Sequence, residues 1–263
     1  MNALTALDDL RPDNMALEEW HLRLELAACY RLFDHLGWAE MIFNHITVRV
    51  PGGDEGNPHY LINPYGLHYT EVTARNLVKI DAAGNMIDDS PHPVNPAGFV
   101  IHSAVHAARP DAHCVMHTHT TAGMAVACKR PGLAHDNFYG AMFYQRVAYH
   151  DFEGITTDTA ECARLVASLG DRDVMILRNH GLLVTGPTLR KALHTIWTLQ
   201  RACEVQMATA CLPGETIALD ETLLAGIPRQ RKPMHVGRDA DRMMFDAIVR
   251  RADIRYADLA ADS

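Results

Sequence analysis

Cys114-Val115-Met116-His117-Thr118-His119-Thr120 carries two histidines at the end of an apolar, β-branched run. In a strand, side chains two positions apart share a face, so His117 and His119 can grip one metal ion from the same side. A third imidazole lies in Arg178-Asn179-His180-Gly181, a tight polar turn between the apolar runs 174–177 and 182–184. Three histidines leave a coordination position open, as in catalytic rather than structural zinc sites. The alternative is a trio of buried, hydrogen-bonded histidines. That trio would have to stay neutral and find a partner for every nitrogen.

Helices and short strands alternate outward from this core. The spacing predicts a helix over 99–108 that halts at Arg109-Pro110, and a short one over 122–128 broken by Pro131-Gly132. Upstream, Leu17, Trp20, Leu24, Ala28, Leu32 and Leu36 recur every three or four residues. Asp13 or Asn14 is the expected cap of that helix, and Gly37 its stop. Ile46, Val48 and Val50 alternate with Thr47 and Arg49 as in a strand ending at Pro51-Gly52-Gly53, and Tyr60-Leu61-Ile62 reads as a second. A hairpin is expected around Ala83-Gly84-Asn85. Downstream, Thr157 or Asp158 should cap a helix ending near Gly170, and a long helix should fill 188–211. The segment 135–154 holds six aromatic residues without a clean period. Residues 1–12 read as a loose arm, 13–212 as one α/β domain and 213–263 as an extension, irregular over 215–236 and then helical over 240–252.

Of 263 residues, 24 are Lys or Arg and 32 Asp or Glu, a net charge of −8 with no basic run. Nucleic acid and anionic membrane surfaces are therefore disfavoured as partners. Six scattered cysteines lack Cys-x-x-Cys spacing and read as free thiols. The first nine residues carry no cationic segment followed by an apolar one, and the cytoplasm is the expected compartment.

Five blocks, in order, resemble the class II aldolase/adducin family. Asn44-His45-Ile46-Thr47-Val48-Arg49 is similar to its Gly-Asn-x-Ser-x-Arg strand, and Asn63-Pro64-Tyr65-Gly66 to its Thr-Pro-Ser-Gly turn. His102 through Asp111 resembles its His-x-x-x-Tyr-x-x-Arg-Pro-Asp helix end, with His106 in place of tyrosine. Val115 through His119 and Asn179-His180-Gly181 resemble its metal-binding strand and turn. The resemblance covers about residues 20–212. It implies an αβα sandwich around a mostly antiparallel mixed sheet and a homotetramer with sites at subunit boundaries. It also implies one divalent metal per subunit, usually zinc, on His117, His119 and His180; manganese and iron suit the same ligands. In family aldolases that metal polarises a carbonyl and stabilises the enediolate left by carbon–carbon cleavage.

One departure bears on mechanism. Where the family's sugar-phosphate enzymes carry Pro-Ser-Ser-Glu, this chain reads Asn95-Pro96-Ala97-Gly98, so the acid/base carboxylate and two phosphate-holding serines are absent. The family also holds decarboxylases, which need no carboxylate base for bond breaking. It further holds adducin heads, assembly modules that lack catalysis and these ligands. The expected activity is a metal-dependent lyase, by retro-aldol cleavage or decarboxylation of a small hydroxy-carbonyl or carboxylate compound. The alternative is a scaffold. His102, Tyr139 and Tyr144 are candidate proton carriers, the tyrosines reaching a neighbouring subunit's site. For His102 and His106, which share a helix face, the competing reading is packing. Glu153 is a candidate replacement for the missing carboxylate. Asn44, Tyr65 and Gly66 are candidates for holding the substrate's distal end. Met41, Ile42 and Phe43 are expected to pack.

Overall fold

The computed structural model describes residues 4–54, 56–154, 159–231 and 239–261. Its centre is a seven-stranded sheet of β1 (His45–Asp54), β2 (Asn57–Ile62), β3 (Val78–Ile80), β4 (Cys114–Thr118), β5 (Val147–His150), β6 (Val174–Leu177) and β7 (Gly181–Gly186). The strand order is β3-β2-β1-β4-β7-β6-β5, and all neighbours are antiparallel except β5 and β6.

Helices cover both faces. Ile46 and Val48 of β1, Met116 of β4 and Val184 of β7 face one apolar core, shared with α1 (Leu17–His35), α3 (Thr121–Ala127), α6 (Leu189–Ala210) and α8 (Ala240–Arg251). Val115 of β4 and Leu183 of β7 turn to the opposite face, against α2 (Pro96–Ala108) and α5 (Thr159–Leu169). The period-two alternation of a strand thus divides one sequence between two layers. The expected αβα sandwich is what the chain forms.

The outer alternation of β1 is polar. Thr47 reaches into α2, its hydroxyl 2.7 Å from His102 Nδ1 and 2.8 Å from His106 Nε2. His106 Nδ1 donates to the Ala112 carbonyl at 2.7 Å, so its Nε2 accepts from the Thr47 hydroxyl. That hydroxyl has one proton to give, so His102 Nδ1–H must donate to Thr47 in turn. The packing reading of His102 and His106 is the one the geometry supports. Arg109 forks onto Asp111 at 2.7 and 2.8 Å and donates to the carbonyls of Gly170 and Arg172, tying the end of α2 to the turn before β6.

Several local expectations change. Residues 5–10 form a 3₁₀ turn, Leu4 is buried, and Trp20 Nε1 donates to the Leu7 carbonyl, so this part of the arm is packed. Helix α1 starts at Leu17 after Ala16, with no side-chain cap from Asp13 or Asn14. Strand β1 runs on past Pro51, through a shift in register against β2. The aromatic segment resolves into α4 (Phe138–Ala141) and β5. Residues 215–236, expected to be irregular, include α7 (Glu221–Arg231), and α9 (Tyr256–Ala260) follows α8. Thr157 and Asp158, the expected cap, lie outside the described residues. No helix among the described residues is long and apolar enough to cross a membrane.

Burial drives His106 down to about 3 from the ordinary 6.5. The unfolded chain then binds a proton near pH 6.5 that the folded chain refuses until far lower. Stability from this group is complete above 6.5 and is lost as pH falls toward 3. Denaturant melts at pH 7 and 5 should show wild type losing more stability on acidification than His106→Gln. Equal losses would contradict the assignment.

Candidate metal centre

His117 is the penultimate residue of β4 and His119 lies just past its end. Across the antiparallel ladder His117 pairs with Leu183, and the turn leading into β7 brings His180 alongside. Asn179 turns that corner at φ 57, a left-handed conformation asparagine tolerates. Gly181 is required by close approach. A Cβ there would sit 2.3 Å from the Thr118 carbonyl oxygen, and 3.2 and 3.3 Å from ring carbons of His119 and His117. The missing side chain lets the two histidine-bearing segments meet.

The three rings lie 4.5–4.8 Å apart between centroids, and one nitrogen of each falls within 4.8 Å of the others. His117 Nδ1 donates to the Leu182 carbonyl at 2.8 Å, which fixes the tautomer and leaves Nε2 with a lone pair. That bare Nε2 accepts from the His119 Nε2–H at 2.7 Å. Burial pushes His117 well below the usual histidine range, and the imidazoles of His180 and His119 add to the effect. Burial, then His119, takes His180 to about 4. Burial also lowers His119, against the opposing charge of the Glu40 carboxylate. Three imidazoles held toward the neutral form, with ring nitrogens converging on one point, are a donor set that fits a divalent transition metal, which would replace the proton between His117 and His119.

The imidazoles open onto a cavity of about 590 Å³. Asn44 and Tyr65 line it, and both come from strand ends held by one buried hydroxyl. Tyr30 of α1 donates to the Ile46 carbonyl at 2.8 Å and accepts from the N–H groups of Ile46 and Asn63. Gly66, at φ 100, turns the chain after Tyr65 but is not part of the wall. His102 is wholly buried and lies behind His45, which does line the cavity, with ring centroids 4.0 Å apart. Tyr139 packs on Trp197 and Arg201, and Tyr144 meets His135 edge-on; neither lines the cavity of its own chain. Glu153 is ion-paired to Arg164, which lowers its pKa and occupies the carboxylate proposed as a stand-in. Met41 and Phe43, expected to pack, are 74% and 49% exposed, with Phe43 at the cavity wall.

Sequence reasoning missed His45, Ile101, Met124, Phe152 and Asn179 as wall residues. His45 carried a usable signal, being two positions before Thr47 on the polar face of β1. Ile101 and Phe152 carried none, since only the tertiary fold brings them to the histidines.

The sequence profile described as "Class II Aldolase and Adducin N-terminal domain" matches residues 24–207. The chain belongs to this family. An aldolase II superfamily protein from Pseudomonas syringae superposes with a TM-score of 0.87 at 39% identity, covering 95% of this chain and 98% of that one. The L-fuculose 1-phosphate aldolase from Glaciozyma antarctica PI12 superposes at 0.77 with 30% identity, covering 96% and 98%. Alpha-adducin from Rattus norvegicus is 43% identical over 220 residues, 81% of this chain but 29% of the adducin. This class II aldolase and adducin family member therefore has relatives named as aldolases and as adducins.

The contact at Gly181 gives a direct test. Gly181→Ala should destabilise the fold by about 1–3 kcal/mol, as overpacking does, and lower metal content by spreading His117 and His119 from His180. Unchanged melting and metal content would refute the close-approach argument.

Proposed function

We propose that this protein is a metal-dependent carbon–carbon lyase, acting by retro-aldol cleavage or decarboxylation on a small hydroxy-carbonyl or carboxylate compound. The observation that carries the reading is the convergence of three neutral imidazoles on one cavity. His117, His119 and His180 would hold one divalent ion per chain, zinc first and manganese or iron next. Such an ion, when bound, supplies Lewis-acid polarisation of a substrate oxygen and stabilises the charge left by carbon–carbon cleavage. Asn44 and Tyr65 bind the substrate's far end. Met124 and Phe152 exclude water from the space between.

Gly98 offers no carboxylate, and Glu153 is committed to Arg164. Decarboxylation needs no base to break its bond, so it is the route that asks least of this site. Retro-aldol cleavage needs a proton acceptor for the substrate hydroxyl. Tyr139 or Tyr144 of a neighbouring subunit would be the candidates for proton transfer in that case. The exposed Met41, Phe138 and Phe152, 54–74% accessible, support a homo-oligomer, a tetramer by family resemblance, with the cavity near a subunit boundary.

The second reading is a non-catalytic assembly module. The 43% identity to alpha-adducin and the absent carboxylate at Gly98 favour it.

Elemental analysis should find about one metal per chain in wild type and a large loss in His119→Ala. β-Keto acids, hydroxy acids and ketose phosphates, screened with and without chelator, should reveal chelator-sensitive turnover in at least one class. No such turnover across the panel moves the assignment to the assembly module. Light scattering on the metal-loaded protein should give an oligomer at micromolar concentration; a metal-bound monomer would remove the subunit-boundary site.

A further inference from the structure

A second cavity, of about 560 Å³, lies between the N-terminal arm, α6, α8 and α9. Strand β7 starts beside His180 and runs to Gly186 before α6 begins, so Arg190 of this cavity stands at the opposite end of the sheet from the imidazoles. The two cavities share no lining residue among those described. Leu4, Leu7, Val249, Ile254 and Tyr256 give the second one carbon surface. Arg190, Arg242, Arg250 and Arg255 also line it, against one carboxylate, Asp246. In a chain of net charge −8 that is a local reversal of sign.

Two of these guanidiniums are already committed. Arg190 is ion-paired to Glu25 of α1, and Arg255 donates to Asp258 at 2.8 Å. The other two are not. Arg242 Nε stands 3.6 Å from Asp246, too far for a hydrogen bond, and Arg250 meets no carboxylate among the described residues. They share one face of α8, about 12 Å apart along its axis, a gap that two arginine side chains can close. Arg242 also lies in the first turn of α8, where the macrodipole favours an anion and opposes a cation. An anion bound there would relieve helix and guanidinium together. A carboxylate offers two oxygens and fills one arginine fork; the three terminal oxygens of a phosphate monoester accept from two.

We propose that this cavity is a second binding site, for a phosphate monoester carried on an apolar or aromatic body. The phosphate sits between Arg242 and Arg250. The body lies on Leu4, Leu7, Val249 and Tyr256, and so ties the arm to α8.

Calorimetry on the full chain as purified should show 1-naphthyl phosphate binding at least about tenfold tighter than either 1-naphthoate or inorganic phosphate, about 1.4 kcal/mol. The double variant Arg242→Gln, Arg250→Gln should lose at least that factor, whereas His119→Ala should bind as wild type does. A measurement on wild type keeps the test open if the double variant does not fold. There, 1-naphthyl phosphate should shield Arg242 and Arg250 from phenylglyoxal, as mapped by peptide mass spectrometry. Absence of saturable binding, equal affinity for naphthoate or for inorganic phosphate, or arginines that stay unshielded overturns the inference. Binding that disappears in His119→Ala and persists in the double arginine variant also overturns it, by placing the phosphate at the imidazoles.

Discussion

Burying three imidazoles together at the end of a sheet is the constraint on which the site depends. Charged, they would repel one another in a poorly solvated space; neutral, each must place its single N–H. The fold places one of these by construction: the His117 Nδ1–H goes to the Leu182 carbonyl, on the strand that follows His180. The β4–β7 ladder therefore supplies both the third imidazole and the acceptor that orients the first. Gly181 makes the arrangement possible, because any side chain there would collide with the Thr118 carbonyl. Ring nitrogens gathered this way form a donor set on which a cation would replace the proton shared between His117 and His119.

The same logic extends behind the cavity. His45, Thr47 and Arg49 share a face of β1 and meet α2 through polar groups, whereas Ile46 and Val48 bury against α1. The directed run from His102 through Thr47 and His106 to the Ala112 carbonyl makes the sheet–helix contact specific without a charge. Tyr30, reaching across from the opposite layer, fixes the strand ends that present Asn44 and Tyr65. Much of the polar chemistry in the core thus holds cavity residues in place.

The histidine set was legible in the sequence because its geometry is local. Two residues apart in a strand means one face, and a polar turn between apolar runs means a strand pair carrying its turn residue to the sheet end. An α/β domain was legible from the alternation of helices and strands, and the sandwich from the resemblance of five ordered blocks. The cavity wall was not: Ile101 sits one position before His102 on a helix that reads as buried, and Phe152 lies in an aromatic segment with no period. Helix α7 was obscured by Gly226 and Pro228, both poor helix residues, within its span. The packed arm was missed although Leu4, Leu7 and Leu10 recur every three residues, the period of the 3₁₀ turn that follows Leu4, itself seated in the core.

The central claim is that the fold itself, before any metal binds, sets His117 as a neutral ring with a bare Nε2. Long-range proton–nitrogen correlation spectra of metal-stripped protein at pH 7 report that tautomer directly. The account predicts protonation at Nδ1 and a lone-pair shift at Nε2, with the Nε2 signal moving on addition of zinc. A proton on Nε2 of His117, or an imidazolium at that residue, would contradict it.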